Sequence, residues 1–441
     1  MQSGGPSRGE MRLSRREVLV GAGVATVAAA VPTWLLSRRP ESEPPTGRPE
    51  HVILVDWDGF DPDYLGRAPT PNLDALTSRG SLSIADGTFP TISNPSRASM
   101  STGAYPEVHG NAAYYFDGRT NSVVGENRFL AAETISETLA AEGRTTASVQ
   151  WYMVQDHGTS YGDPEHLYVQ PGGLFEKRVD AAIEILNRRP VDSGGEMVTP
   201  PKIPDFLAVY GVDLDAFGHA EGAEGPNIGP LLAELDRQLG RLVRTTKEVG
   251  IYEQTAFLLT SDHGMTTWEH SLAEELASIS AFGQNPEIVL TGRPVSPNAE
   301  TVIVPSAGRI ADVTLRGRAA TPEGREEVRA ALASLPQISR VLGAAEQEIL
   351  HTSDKLGDFV IEAKAPWGFK LPEPKEGTSR GAHGSAREMR VPLLIAGAGV
   401  RVGAVPKDAK LVDVAPTIAA LLDVRPPIDA QGRALAESLN V

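Results

Sequence analysis

The run Ala256-Phe-Leu-Leu-Thr-Ser-Asp-His-Gly-Met-Thr266 constrains this chain more than any other stretch. Its continuous apolar half reads as a strand buried on both faces, which requires a sheet covered on both sides. Gly264 then lets the chain turn at once, leaving Asp262 and His263 at the strand's end. A carboxylate beside an imidazole in that position points to a metal ligand pair or to a capped, solvated strand end. Val52 to Asp58 is a second such run, ending in Asp58-Gly59. Phe206 to His219 is a third, ending in Asp215-Ala-Phe-Gly-His219, and Gly381-Ala-His383-Gly lies shortly before the apolar Val391 to Ala396. Together these segments offer three Asp and three His, which favours metal.

Helical patterns separate the apolar runs: Phe129 to Gly143, Leu174 to Arg188 and Gly229 to Glu248 read as helices, and Thr145 to Trp151 and Asp205 to Val212 as strands. The alternation predicts an α/β fold with a doubly wound, mostly parallel sheet flanked by helices, in which ligands bind beyond the carboxyl ends of the strands. Asp58, Asp215, Asp262 and His263 all fall at such ends. Between 279 and 377 the pattern changes to strands Thr301 to Pro305, Ile310 to Leu315, Ile338 to Leu342 and Asp358 to Ala363, with a helix over Pro322 to Leu335. This predicts an α+β cap inserted between core segments 51–278 and 378–441.

A chain of 441 residues, 41% hydrophobic, can bury such a core and carry an insertion. It contains no cysteine, so any metal must be held by nitrogen and oxygen. A formal net charge of −16 excludes a basic nucleic-acid-binding surface, and an anionic substrate then needs a concentrated cation such as a bound metal. At the N-terminus, Ser14-Arg15-Arg16 precedes a Gly/Ala/Val-rich segment reaching Leu36, the layout of a twin-arginine export signal over 1–36. That signal predicts handling by the twin-arginine machinery and a periplasmic, cell-surface or secreted protein; if uncleaved, the segment would anchor the chain to the membrane. Residues 37–50, rich in Pro and charge, read as a disordered lead-in.

Ser93 precedes Asn94-Pro95 and a helix-like Ser96 to Ser101, which places it at or just before a helix N-terminus, where free N–H groups and the dipole favour an anion. A hydroxyl there serves as a cap or as a nucleophile.

With Asp58-Gly59, Ser93 nine positions before Thr102-Gly103, Tyr105-Pro106 with His109-Gly110, Asp215-x-x-Gly218-His219, Ser261-Asp262-His263-Gly264 and Gly381-x-His383-Gly384, the sequence resembles the alkaline phosphatase superfamily, most closely its nucleotide pyrophosphatase/phosphodiesterase branch. The resemblance implies a phosphoric ester hydrolase acting on a small phosphate ester through two Zn²⁺ ions. It places Asp58, Asp262, His263 and the Ser93 oxygen on one zinc, and Asp215, His219 and His383 on the other. A phosphoryl-Ser93 intermediate follows. It also gives Asn111 the role of holding a phosphate oxygen, provided a short deletion precedes it. Tyr210, five before Asp215 as in the branch, faces the substrate or is a buried strand-end tyrosine.

The branch usually carries Thr as nucleophile. Ser93-Asn-Pro-Ser-Arg97 also fits the Cys/Ser-x-Pro-x-Arg pattern of sulfatases and phosphonate monoester hydrolases, in which the first residue becomes formylglycine. Arg97 is then a helix-surface cation or a substrate clamp. The three imidazoles suit zinc and suit the calcium of sulfatases poorly. A reading of another class is a metal-stabilised binding protein without turnover.

Overall fold

The computed structural model describes residues 47–272, 275–276, 286–289 and 292–441. The export signal, most of the lead-in and the boundary near Ile279 lie outside the described residues. Among the described residues no helix is long and apolar enough to cross a membrane.

Seven strands build the central sheet: β1 (His51–Trp57), β2 (Gly80–Asp86), β3 (Thr146–Val149), β4 (His166–Val169), β5 (Phe206–Gly211), β6 (Thr255–Thr260) and, after a second sheet, β12 (Arg390–Gly397). Their order is β2-β12-β6-β1-β5-β3-β4. Pairing is parallel from β6 through β4, whereas β12 runs antiparallel to both β6 and β2. The mixed α/β architecture with a mostly parallel sheet is therefore as expected.

Alternation along β1 shows why its apolar run is unbroken. Val52 and Leu54 pack on one side with Met100, Ile135 and Ile418, while Ile53, Val55 and Trp57 pack on the other with Val179, Leu235 and Leu239. All five strand residues are at most 1% exposed. Each such side chain contributes about 1.5–3 kcal/mol of burial, so a strand with two apolar faces is held from both sides. The helices supplying these layers include α2 (Ser93–Thr102), α3 (Ile135–Ala141), α4 (Phe175–Leu186), α6 (Ile228–Glu248) and α8 (Val414–Leu421); α1 is Pro71–Thr77 and α5 is Asp213–Glu221.

One expectation needs correction, and two strands were missed. The helix expected from Phe129 begins only at Ile135, because Thr134 and Glu137 form a capping box: Thr134 Oγ1 accepts from Glu137 N at 3.1 Å and the Glu137 carboxylate accepts from Thr134 N at 2.8 Å. The edge strands β2 and β4 carried no long apolar run and were not expected.

The second sheet has the order β7-β8-β9-β11-β10, from β7 (Pro286–Ile288), β8 (Thr301–Ser306), β9 (Ile310–Leu315), β10 (Ile338–Leu342) and β11 (Phe359–Ala363). Helix α7 (Pro322–Ser334) covers one face with Val328 and Leu332 against Val313, Phe359 and Ile361. The turn joining β8 to β9 reaches the central domain: Ala307 O accepts from His383 N at 3.3 Å, and Arg309 N donates to His383 O at 3.1 Å.

Candidate active site

Parallel register decides where the polar ends of the strands meet. Asp56 lies opposite Tyr210 on β5 and opposite Thr260 on β6, so three strands stop flush and the residues that follow them emerge from one edge. Asp58, Asp215 and the Asp262–His263 pair all start there. Asp215 N donates to Asp58 O at 3.0 Å. Gly59, at φ +73°, is required at this junction: a Cβ on it would lie 3.0 Å from the Asp215 backbone.

Each carboxylate keeps one oxygen without a hydrogen-bond partner. Asp58 Oδ2 accepts from the Tyr210 hydroxyl at 2.6 Å and pairs with Arg97 Nη2 at 2.9 Å, leaving Oδ1 without a hydrogen bond. Asp262 Oδ1 accepts from the backbone N–H of Gly59 at 3.2 Å and of His263 at 3.0 Å, leaving Oδ2 without one. Asp215 Oδ1 is buried in the same condition. Helix α5 places Asp215 and His219 one turn apart, so His219 Nε2 lies 3.2 Å from Asp215 Oδ1.

The three histidines share one arrangement. Nδ1 of His263, His219 and His383 lies 2.9, 2.8 and 2.8 Å from the carbonyl oxygens of Gly264, Gly381 and Thr91. A carbonyl only accepts, so each Nδ1 carries the proton and each Nε2 presents its lone pair. Those Nε2 atoms converge: His383 to His219 at 3.2 Å, and His263 to Asp262 Oδ2 at 3.2 Å and Asp58 Oδ1 at 3.5 Å. His263 and His383 stack with ring centroids 3.7 Å apart.

Burial pushes the imidazoles down, His219 to about 4 and His383 well below its usual value, so neither is protonated near neutrality. The carboxylates move the other way. Burial together with its acidic neighbours raises Asp262 to about 8 and Asp215 well above the usual range. Burial also acts against ionised Asp58, but the Arg97 guanidinium and the Tyr210 hydroxyl hold that group below its usual value. A single guanidinium is thus too little positive charge for this many buried carboxylates. Orphaned acid oxygens facing neutral imidazole lone pairs are what a divalent cation requires. Donor atoms of Asp58, Asp262 and His263 lie within 4.8 Å of one another, as do those of Asp215, His263 and His383, so His263 borders both groups.

Ser93 is the first residue of α2, after Ile92 in an extended conformation. Its Oγ lies 3.2 Å from His263 Nε2. At a helix N-terminus the unpaired N–H groups and the dipole favour an oxyanion or an incoming phosphate.

Seven residues named from the sequence are therefore gathered in one site: Asp58, Ser93, Asp215, His219, Asp262, His263 and His383. Three others have different surroundings. Arg97 is neither on a helix surface nor open to a ligand: it is 0% exposed, with Nε 2.6 Å from Asp56 and Nη2 2.9 and 3.1 Å from Asp58 and Asp262. It lies beneath the carboxylates as their counter-charge. Tyr210 is the buried strand-end tyrosine, bonded to Asp58. Asn111 is fully buried, and its amide nitrogen donates to the carbonyls of Asn127 at 3.1 Å and Phe129 at 2.8 Å. Reversing the amide would set oxygen against two carbonyls, so its donors are committed and only an acceptor remains, which opposes anion binding.

Sequence reasoning passed over Asp56 and Tyr152, whose hydroxyl accepts from Arg97 Nη1 at 2.6 Å. Asp56 carried a signal, being an ionisable residue inside a continuous apolar run. Tyr152 carried none.

Because Tyr210 fixes Asp58 through one hydroxyl, Tyr210→Phe should keep the packing and lower metal affinity about 10- to 100-fold, the usual cost of removing a group that orients a ligand. Competition with a chromogenic chelator measures this, with circular dichroism to confirm the fold.

Residues 52–386 match the type I phosphodiesterase / nucleotide pyrophosphatase family. Curated relatives include the bis(5'-adenosyl)-triphosphatase enpp4 of Xenopus laevis, 30% identical over 233 residues covering 51% of this chain and 49% of the relative. The human ectonucleotide pyrophosphatase/phosphodiesterase family member 5 is 27% identical over 228 residues, covering 49% and 45%. The chain thus spans about half the length of the curated relatives it matches. The solved structure of that human protein superposes with a TM-score of 0.67 at 22% identity, covering 89% of this chain and 100% of the other, which supports the fold. With the family matched across three quarters of its length, from β1 to the turn after His383, the chain belongs to the type I phosphodiesterase / nucleotide pyrophosphatase family, a branch of the alkaline phosphatase superfamily.

Proposed function

We propose that the protein hydrolyses phosphate esters, phosphodiesters or nucleotide pyrophosphate bonds, through Ser93 and two zinc ions. Asp58, Asp262, His263 and the Ser93 oxygen would hold one ion, and Asp215, His219 and His383 the other. The observation that carries this reading is the convergence of three orphaned carboxylate oxygens and three imidazole Nε2 atoms beside a serine at a helix N-terminus. Bound zinc would supply Lewis acidity, lowering the hydroxyl pKa and neutralising phosphate oxygens. The chain's own residues do the rest. Backbone carbonyls at Gly264, Gly381 and Thr91 fix the imidazole tautomers, Arg97 offsets part of the charge of Asp56, Asp58 and Asp262, and α2 aims Ser93 Oγ at the site. Ser93 gives up its proton to solvent and its oxygen bonds to phosphorus as the ester oxygen leaves. Water then displaces Ser93 from phosphorus, releasing phosphate or a monoester and restoring the hydroxyl.

The second sheet is proposed to act as the cap over 279–377, and the N-terminal Arg15-Arg16 segment to direct export by the twin-arginine route. A screen with bis-p-nitrophenyl phosphate, p-nitrophenyl phosphate, phenylphosphonate and p-nitrophenyl sulfate tests the activity. Hydrolysis of the phosphate esters with the sulfate untouched is the expected result; turnover of the sulfate alone would reject it.

A further inference from the structure

We propose that Lys370, on the segment that leads out of the second sheet, is a specificity-determining residue that binds an additional negative charge of the substrate beside Asp215, His219 and His383. The proposal rests on the hydrolase reading above and adds to it a residue that ranks substrates by charge, favouring phosphate esters with more than one negative charge over monoanionic diesters.

Placement carries the argument. Phe369 N donates to Gly308 O at 2.8 Å, and Gly308 bridges to His383, so the turn joining β8 to β9 links the 367–370 segment to this residue. The Lys370 stem crosses Gly308, where an added Cβ would lie 3.2 Å from its Cδ. Gly308, at φ +98°, thereby keeps the passage open. The stem thus runs past the residue that bridges to His383, with Cε 3.4 Å from the same Cβ position, and its charge is felt by Asp215, His219 and His383.

Among the described residues this ammonium closes no ion pair, although Lys370 is half-buried. Asp215 has nearer partners in His219 and His383. Glu126, the other acid acting on Lys370, is exposed to solvent and closes no ion pair with it. Arg97 contrasts with it, being locked under three carboxylates and out of reach of any ligand. A cation held partly out of water without a committed partner has its charge available to an anion. Two divalent ions would answer part of the charge on the phosphoryl group being cleaved, and a third cation at the rim suits a further charge, on that group or on the next.

Lys370→Met keeps the stem across Gly308 and removes only the charge, whereas Lys370→Arg keeps the charge. In the metal-loaded protein at pH 8, Lys370→Met should lower kcat/KM for p-nitrophenyl phosphate, a dianion, about tenfold, the scale of one charge contact in a partly buried site. For bis-p-nitrophenyl phosphate, a monoanion with the same leaving group, the change should stay below about threefold. Calorimetric affinity for inorganic phosphate should fall in parallel, metal content should not change, and Lys370→Arg should recover most of the loss. Equal losses on both esters, or unchanged phosphate affinity, would overturn the proposal. A wild-type protein that cleaves neither ester would instead refute the hydrolase reading on which it stands.

Discussion

Ser93→Ala should lower kcat on a phosphate diester by roughly 10⁴-fold or more, because an alkyl side chain leaves no oxygen to bond to phosphorus. Ser93→Thr should keep about a tenth of the rate or more, since threonine offers the same hydroxyl at the first position of α2. Space favours this outcome: Ser93 is only partly buried, while its neighbours Ile92 and Asn94 are buried. The same pair of variants separates two chemistries that both need position 93. A serine nucleophile remains unmodified in the mature chain. A formylglycine made from it would make the tryptic peptide lighter by two hydrogen atoms, and Ser93→Thr would be inactive because no aldehyde hydrate could form. Intact serine with an active threonine variant supports the ester hydrolase. An aldehyde at position 93 would overturn it, and sulfate or phosphonate esters would become the first substrates to test.

How much of this was legible in the sequence depended on distance along the chain. Asp215 and His219 are one helical turn apart, and Asp262 and His263 are adjacent, so local spacing alone put each pair on one face or one strand end. Bringing the pairs together needed only the rule that parallel strands present their carboxyl ends on one edge, and the register of β1 with β5 and β6 does so. The long-range polar partners were not legible. Arg97 reads as a solvated helix cation because nothing nearby in sequence announces Asp56 or Asp58 some 40 residues earlier, and its ion pairs exist only once α2 packs on β1. Asn111 fails for a related reason: the carbonyls that occupy its amide belong to residues 127 and 129, in a loop without periodic pattern. Lys370 sits in a Pro- and Gly-rich stretch with no spacing relation to any ligand, and only the contact of Gly308 with His383 brings it to the site. Edge strands β2 and β4 were missed because a short strand at the rim lacks the unbroken apolar run that identified β1 and β6.

Removal of bound metal by chelation should abolish activity, and restoring zinc should bring it back. The charge balance explains the size of the effect. Asp58, Asp215 and Asp262 converge with Arg97 beneath two of them and the half-buried Lys370 acting on the third, and burial with mutual repulsion drives Asp262 to about 8. A phosphate anion brought into that field would meet net repulsion rather than attraction, so without cations the site should neither bind the ester nor lower the Ser93 pKa. Elemental analysis should therefore find close to two transition-metal ions per chain. The ligand division predicts which substitution empties which position: His219→Ala or His383→Ala should leave about one ion, and Asp262→Ala should remove the other, the one proposed to hold Ser93. Because the imidazoles are held neutral by burial, protons do not compete for Nε2 at neutral pH, and one ion should remain bound in each single variant. One calcium ion per chain with no transition metal would contradict this assignment, since three imidazole donors select against calcium.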